Sequence, residues 1–232
     1  MQALQQDWIA KWALFSPDNL AVKDFDTGRA FSYFDLNRLA NRLAHALQSD
    51  WDIQPGDRIA VLAENNLEWI ILFSACQKMN AILVPLNYRL AAAEINYLLE
   101  NSGPKLLITS ANFQEKVDQS PAAQALEQWP LEALSEFCNP ELQKPEDRPF
   151  PVHPAQEDDP VFILYTSGTT GFPKGALYTH KMLFWNSINT ALRLIVNSES
   201  RTINVMPPFH TGGWNVLTTP YLHHGGFVGM LN

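Results

Sequence analysis

The sequence predicts an α/β fold of mostly parallel sheets flanked by helices, and three observations carry that prediction. Apolar runs of strand length, at residues 58–63, 81–86 and 105–108, recur along the first half. Between them lie segments whose apolar residues return at helical spacing, long enough to cross over a sheet and bring the next strand in parallel and right-handed. Apolar residues make up 46% of the chain, with seven Trp and thirteen Phe, which is enough to fill a core and excludes a disordered chain.

The elements follow in order. Leu4, Trp8, Trp12 and Phe15 stand at helical spacing ahead of Ser16-Pro17. That stripe is expected to face the core, with contact to a membrane surface as the alternative. Ser32 with Asp35 forms a capping-box-like start, followed by Leu36, Leu39, Ala40, Leu43 and Leu47 on one helical face. Pro55-Gly56-Asp57 turns the chain into the strand 58–63. Residues 67–78 read as a helix with Trp69, Ile70, Phe73 and Cys76 inward, and 81–86 as the next strand. A helix over 92–99 is stopped by Asn101-Ser102-Gly103-Pro104 before the strand 105–108.

Residues 139–160 change character, with Pro140, Pro145, Pro149, Pro151, Pro154 and Pro160 alternating with acids. They predict an exposed connector between a first lobe, 1–138, and a second, 161–232, packed against it. Beyond it, 161–165 and 176–178 read as strands around a long loop, 181–196 as a helix, and 202–206 as a strand ending at Pro207-Pro208. Residues 214–224 are expected to form a helix terminated by Gly225-Gly226, and 227–231 a last strand.

Sixteen basic against twenty-four acidic side chains give a formal charge of −8, which argues against nucleic acid as the main partner. A site for an anion must therefore be made locally positive. Cys76 and Cys138 suit neither a disulfide framework nor metal-ligand spacing, so a reducing, cytoplasmic location is expected. No apolar run has the length of a membrane span, and Asp7 and Lys11 interrupt the N-terminal stretch where a signal peptide would be apolar. The pair His223-His224 has no Cys, Asp or Glu at ligand spacing and is expected at a helix end on the surface, while His180 reads as structural.

The densest chemistry lies in the loop Thr166-Ser167-Gly168-Thr169-Thr170-Gly171-Phe172-Pro173-Lys174-Gly175. Its glycines let backbone N–H groups approach a ligand, its four hydroxyls can donate to phosphate oxygens, and Lys174 adds a mobile charge. A plain turn would need one or two such residues. The spacing does not match a Walker A loop, and the segment after Lys174 reads as a strand, so a helix-capped cradle is not expected.

YTSGTTGFPKG closely resembles the phosphate-binding motif of the AMP-forming adenylating enzymes: acyl-CoA synthetases, luciferases and nonribosomal-peptide adenylation domains. The resemblance runs from about Trp8 to the end. It implies the N-terminal part of an acyl-CoA-synthetase-like large domain, with the phosphate loop between two strands. Thr166, Ser167, Gly168, Thr169, Thr170, Gly171 and Lys174 would then hold the phosphates of ATP, with Mg²⁺ sharing the role although no metal ligand is identifiable. PPFHTGGWN is similar to the motif whose aromatic–His pair lines the acyl pocket. By that similarity His210 is the catalytic candidate, with Phe209, Thr211, Gly212, Gly213 and Trp214 along the substrate; Trp214 as plain core stays open.

KMNAILVPLNYR resembles another segment of the family, with Asn80 where glycine is usual. Asn87-Tyr88-Arg89-Leu90 resembles acyl-CoA synthetases more than peptide-synthetase domains, which favours a fatty or similar acid as substrate and CoA as acceptor. The family's later motifs for adenine, ribose and the C-terminal lysine do not appear. Residues 1–232 are thus expected to be an incomplete N-terminal adenylation domain, inactive alone. The alternatives are a non-catalytic nucleotide- or acyl-binding module, and an adenylating ligase with an acceptor other than CoA.

Overall fold

The computed structural model describes residues 6–166 and 173–232. Its fold is α/β, with two mixed, mostly parallel sheets flanked by helices. The larger sheet has six strands: β3 (Arg58–Leu62), β4 (Ile82–Pro85), β5 (Leu106–Thr109), β6 (Glu127–Pro130), β7 (Pro160–Thr166) and β8 (Lys174–Thr179). Their order is β6-β5-β3-β4-β7-β8, parallel except for the antiparallel β7–β8 pair. The smaller sheet contains β1 (Leu20–Asp24), β2 (Ala30–Ser32), β9 (Arg201–Asn204) and β10 (Phe227–Met230), in the order β2-β1-β10-β9. Each sheet draws strands from both sides of the Pro-rich connector.

The helices of the first half are α1 (Trp8–Phe15), α2 (Tyr33–Ser49), α3 (Glu68–Met79) and α4 (Ala92–Ser102). Ser32 caps α2 as expected, its Oγ accepting from the Asp35 amide at 3.1 Å, and the apolar stripe from Leu36 to Leu47 is fully buried. The sequence placed only one face of α3 inward, whereas the whole helix is buried. It packs in the core shared by both sheets, beside Ile59, Val61 and Phe162 of one and Val228 and Met230 of the other. A helix enclosed on all sides has no solvent face, so Lys78 and Glu68 must find partners inside. Lys78 Nζ meets Asp7 Oδ2 at 2.5 Å and Asn37 Oδ1 at 2.7 Å; Glu68 meets Arg29 Nη1 at 2.7 Å.

Asn80 ends α3 in the left-handed region, at φ 55° and ψ 38°. Glycine adopts this conformation without cost and asparagine tolerates it better than most residues, which accounts for Asn at a position where glycine is usual. Its side chain adds a bond that glycine lacks, Nδ2 donating to Asp159 Oδ2 at 2.9 Å.

The connector is more firmly held than its composition predicts. Arg42, fully buried on α2, pairs through Nε and Nη2 with the two Asp147 oxygens at 2.6 and 2.9 Å and donates to the carbonyls of Phe137, Asn139 and Leu142. Phe150 and Ala155 are buried, and the Ala155 amide donates to Gln6 Oε1. Between β5 and this segment lie α5 (Gln114–Asp118), α6 (Pro121–Gln124), β6 and α7 (Leu131–Phe137), none of which the sequence patterning revealed.

In the second half, α8 (His180–Leu194) follows β8. The helix expected over 214–224 is instead two short ones, α9 (Thr211–Asn215) and α10 (Thr219–His223). Pro220 has no amide hydrogen to continue a helix and sits in the first turn of α10, with β-branched Val216, Thr218 and Thr219 ahead of it.

Candidate active site

Three turns at the carboxyl ends of strands, where α/β sheets collect ligands, carry the candidate residues. The first is the mouth of the β7–β8 hairpin. Thr166 and Lys174 are partners across that mouth and both are exposed. Ser167, Gly168, Thr169, Thr170 and Gly171 lie outside the described residues. The hairpin is closely packed just below. Tyr165 is paired with Gly175 and its hydroxyl lies 2.7 Å from Asn101 Oδ1, while a Cβ on Gly175 would stand 2.9 Å from Ile163 Cγ2 and 3.2 Å from the Tyr165 ring. Only glycine fits under that tyrosine. Burial raises the Tyr165 phenol above its ordinary pKa, so it stays neutral.

The second turn follows β9. Phe209 is buried, while His210 and Thr211 are exposed. The Phe209 and His210 rings lie 4.7 Å apart, and the His210 amide donates to the Pro207 carbonyl. Gly213 lets the chain pass close to Met206, whose Cβ would stand 3.2 Å from an added methyl, and Gly212 approaches the Met206 side chain. Trp214 is in the core, its ring 5.0 Å from Phe162 and 5.4 Å from Phe73, its Nε1 donating to the Pro208 carbonyl at 2.7 Å. Beside it a cavity of about 10 Å³ is lined by Asn65, Trp69, Asn204, Gly213 and Thr218. The structure thus separates the predicted group: Phe209, Gly213 and Trp214 support, and His210 and Thr211 present themselves to solvent.

The third turn, after β4, was not singled out as part of the site. Tyr88 stacks on Phe113 at 5.3 Å and meets the Phe209 ring edge-on at 5.2 Å. The Arg89 guanidinium lies 5.7 Å from the Tyr88 ring centre and 5.8 Å from that of Phe209. These contacts join the turn of the six-stranded sheet to that of the four-stranded sheet. The family-like string Asn87-Tyr88-Arg89-Leu90 was the available signal, but nothing in the sequence said what it touches.

The other histidines stand apart from the site. His180 is buried at the start of α8, and burial lowers its pKa to about 4 against the opposing charge of Asp159. His223 is not on the surface as expected. It is buried, stacked on Trp8 at 4.1 Å, with Nδ1 2.8 Å from Ser187 Oγ, and burial lowers its pKa to about 3. Cys76 and Cys138 are free and buried, and burial lifts both thiols to about 12. Among the described residues no three His, Cys, Asp or Glu side chains gather where they could hold a metal ion, and no helix is long and apolar enough to cross a membrane.

Known proteins match this chain in sequence and in fold. The family described as AMP-binding enzyme matches residues 9–232. Feruloyl-CoA synthase of an Amycolatopsis species is 35% identical over 221 residues, covering 95% of this chain and 42% of that protein. The fatty acid–[acyl-carrier-protein] ligase ScoC of Streptomyces coeruleorubidus is 36% identical over 197 residues, covering 80% of this chain and 36% of its own length. The crystal structure of ATP-bound MatB from Rhodopseudomonas palustris superposes with a TM-score of 0.85 at 26% identity, covering 100% of this chain and 45% of MatB. The chain thus spans less than half the length of these relatives. With the family matched over nearly all of its residues, the chain belongs to the AMP-binding enzymes.

Proposed function

We propose that the protein is the N-terminal portion of an AMP-forming acid–thiol ligase that activates a fatty or similar carboxylic acid and passes it to CoA. A carboxylate oxygen attacks the α-phosphorus of ATP, the bond to the bridging β-oxygen breaks, and pyrophosphate leaves. The CoA sulfur then attacks the acyl carbonyl, and AMP departs with the carboxyl oxygen. Such transfers depend mainly on positioning and on neutralising charge. Thr166, Ser167, Gly168, Thr169, Thr170, Gly171 and Lys174 hold the terminal phosphates as they separate. His210, backed by Phe209, lies against the acyl carboxylate, and Thr211 and Gly212 border the acyl group. Mg²⁺ would lower the charge of the triphosphate, but the described residues offer no ligand set for it, so no step is assigned through it.

One observation carries the reading. The hydroxyl-rich run opens between Thr166 and Lys174, which face each other across a hairpin mouth with both side chains exposed. The ATP in MatB and the thioester-forming relatives support the same chemistry. An acceptor other than CoA is favoured by one finding, the similarity to a ligase whose acceptor is an acyl-carrier protein. In the full-length protein, Lys174→Ala should lower acid-dependent adenylation at least about tenfold, near 1.4 kcal/mol of transition-state stabilisation. Unchanged kinetics would reject the role of the hairpin tip. Residues 1–232 alone should give no acid-dependent exchange of pyrophosphate into ATP, and comparing CoA with a carrier protein separates the two acceptors.

A further inference from the structure

We propose that Arg89 is a positioning residue for the Phe209–His210 pair, an inference that rests on the adenylating role given to His210 above. The His210 ring is exposed and lies 4.7 Å from the ring of Phe209. Whatever sets the Phe209 ring therefore sets one face that the imidazole packs against. Phe209 is met edge-on by Tyr88 and covered by the Arg89 guanidinium, which also lies against Tyr88. A planar cation can lie on two rings at once, which the compact ammonium of lysine does less well.

The platform beneath is fixed independently. Lys116 Nζ donates to the carbonyls of Tyr88 and Leu90 at 2.5 and 2.7 Å. Asn87 Oδ1 accepts from the Arg89 amide at 3.0 Å, the Asn87 carbonyl accepts from the Leu90 amide, and Phe113 backs the Tyr88 ring. Among the described residues the Arg89 guanidinium has no carboxylate partner, so no ion pair accounts for its placement. An exposed cation over a ring adds little to the stability of a fold. Its effect falls instead on the face that Phe209 presents to the imidazole.

The test compares Arg89→Gln and Arg89→Lys in two settings. In the full-length enzyme Arg89→Gln should lower kcat for adenylation about tenfold, while KM for ATP and acid stays within about twofold, as expected when orientation rather than binding is lost. Arg89→Lys should recover part of that loss. In the 232-residue chain the His210 imidazole resonance should move toward the position of a free histidine in Arg89→Gln, and less so in Arg89→Lys, with His180 and His223 unmoved. Wild-type kcat in Arg89→Gln, a loss confined to KM, or an unmoved His210 resonance would overturn the inference. Failure of Arg89→Gln to fold would also overturn it, since Arg89 would then be a structural residue. A wild-type enzyme with no adenylating activity would refute the functional reading, and the His210 resonance alone would then decide this one.

Discussion

Removing Asp7 should be among the most damaging single changes to this fold. The Asp7 and Lys78 side chains are 1% and 2% exposed, and their charged atoms lie 2.5 Å apart. Asp7 also caps α1, its Oδ1 accepting from the Ala10 amide at 3.0 Å. Asp7→Ala strips both functions. Stranding a buried ammonium costs about 3–5 kcal/mol, and Asn37 Oδ1, 2.7 Å away, supplies only a neutral acceptor. Loss of the cap adds about 1 kcal/mol. Against a total stability of about 5–15 kcal/mol, the single variant should lose roughly a quarter or more of it, about 4–6 kcal/mol. Adding Lys78→Met removes the stranded charge and keeps the volume, so the double variant should regain all but about the 1 kcal/mol of the cap. Urea unfolding of the four proteins, read as midpoint and slope, yields the coupling energy directly. A double variant no more stable than Asp7→Ala, or an Asp7→Ala loss below about 1 kcal/mol, would show that the pair does not act as a buried ion pair.

Arg42→Met should free the connector, costing about 2–4 kcal/mol by taking from Asp147 its buried arginine partner and from the Phe137 and Asn139 carbonyls their donor, and should expose residues 138–150 to limited proteolysis; wild-type protease resistance would contradict it. Although its own burial works the other way, bonds from Arg42, the Lys144 amide and Arg38 keep the Asp147 carboxyl below its ordinary pKa, so the stability it contributes is present above the unfolded value of about 4 and is lost as the pH falls through the folded one. The histidines act at higher pH. His223 and His180 stay neutral down to about 3 and about 4, while their unfolded counterparts take up protons below about 6.5. The unfolded state thus binds more protons in that window, and stability should decline as pH drops from 6.5 toward 4. Melting temperatures across that range should show a shallower decline in His223→Phe, which keeps a ring against Trp8 and cannot be protonated; an identical slope would refute the assignment.

What could be read in advance was whatever local pattern decides. The apolar stripe from Leu36 to Leu47, the strands around Ile59, Leu83 and Leu107, and the two strands flanking the hydroxyl-rich run all follow from spacing and composition. β1 and β2 escaped because five and three residues are too few for a periodicity, and the other partner of β1 is β10, some two hundred residues away. His223 was misjudged because the ring that buries it, Trp8, lies at the opposite end of the chain. The same holds at the site. His210 and Phe209 were recognisable as a motif, but the support from Tyr88 and Arg89 arises only where two sheets meet.

The placement of β10 has a consequence for how the protein is made. It inserts between β1 and β9, with Val228 beside Val22 on one side and Thr202 on the other, so the smaller sheet has a gap at its centre until the ribosome has passed β10, some two hundred residues beyond β1. A ribosome adding roughly 5–20 residues per second keeps the early β1–β2 ribbon waiting for on the order of ten seconds or more, with its apolar face bare. Closing such a distant parallel pairing is slow, and the exposed ribbon is a natural target for chaperones during translation.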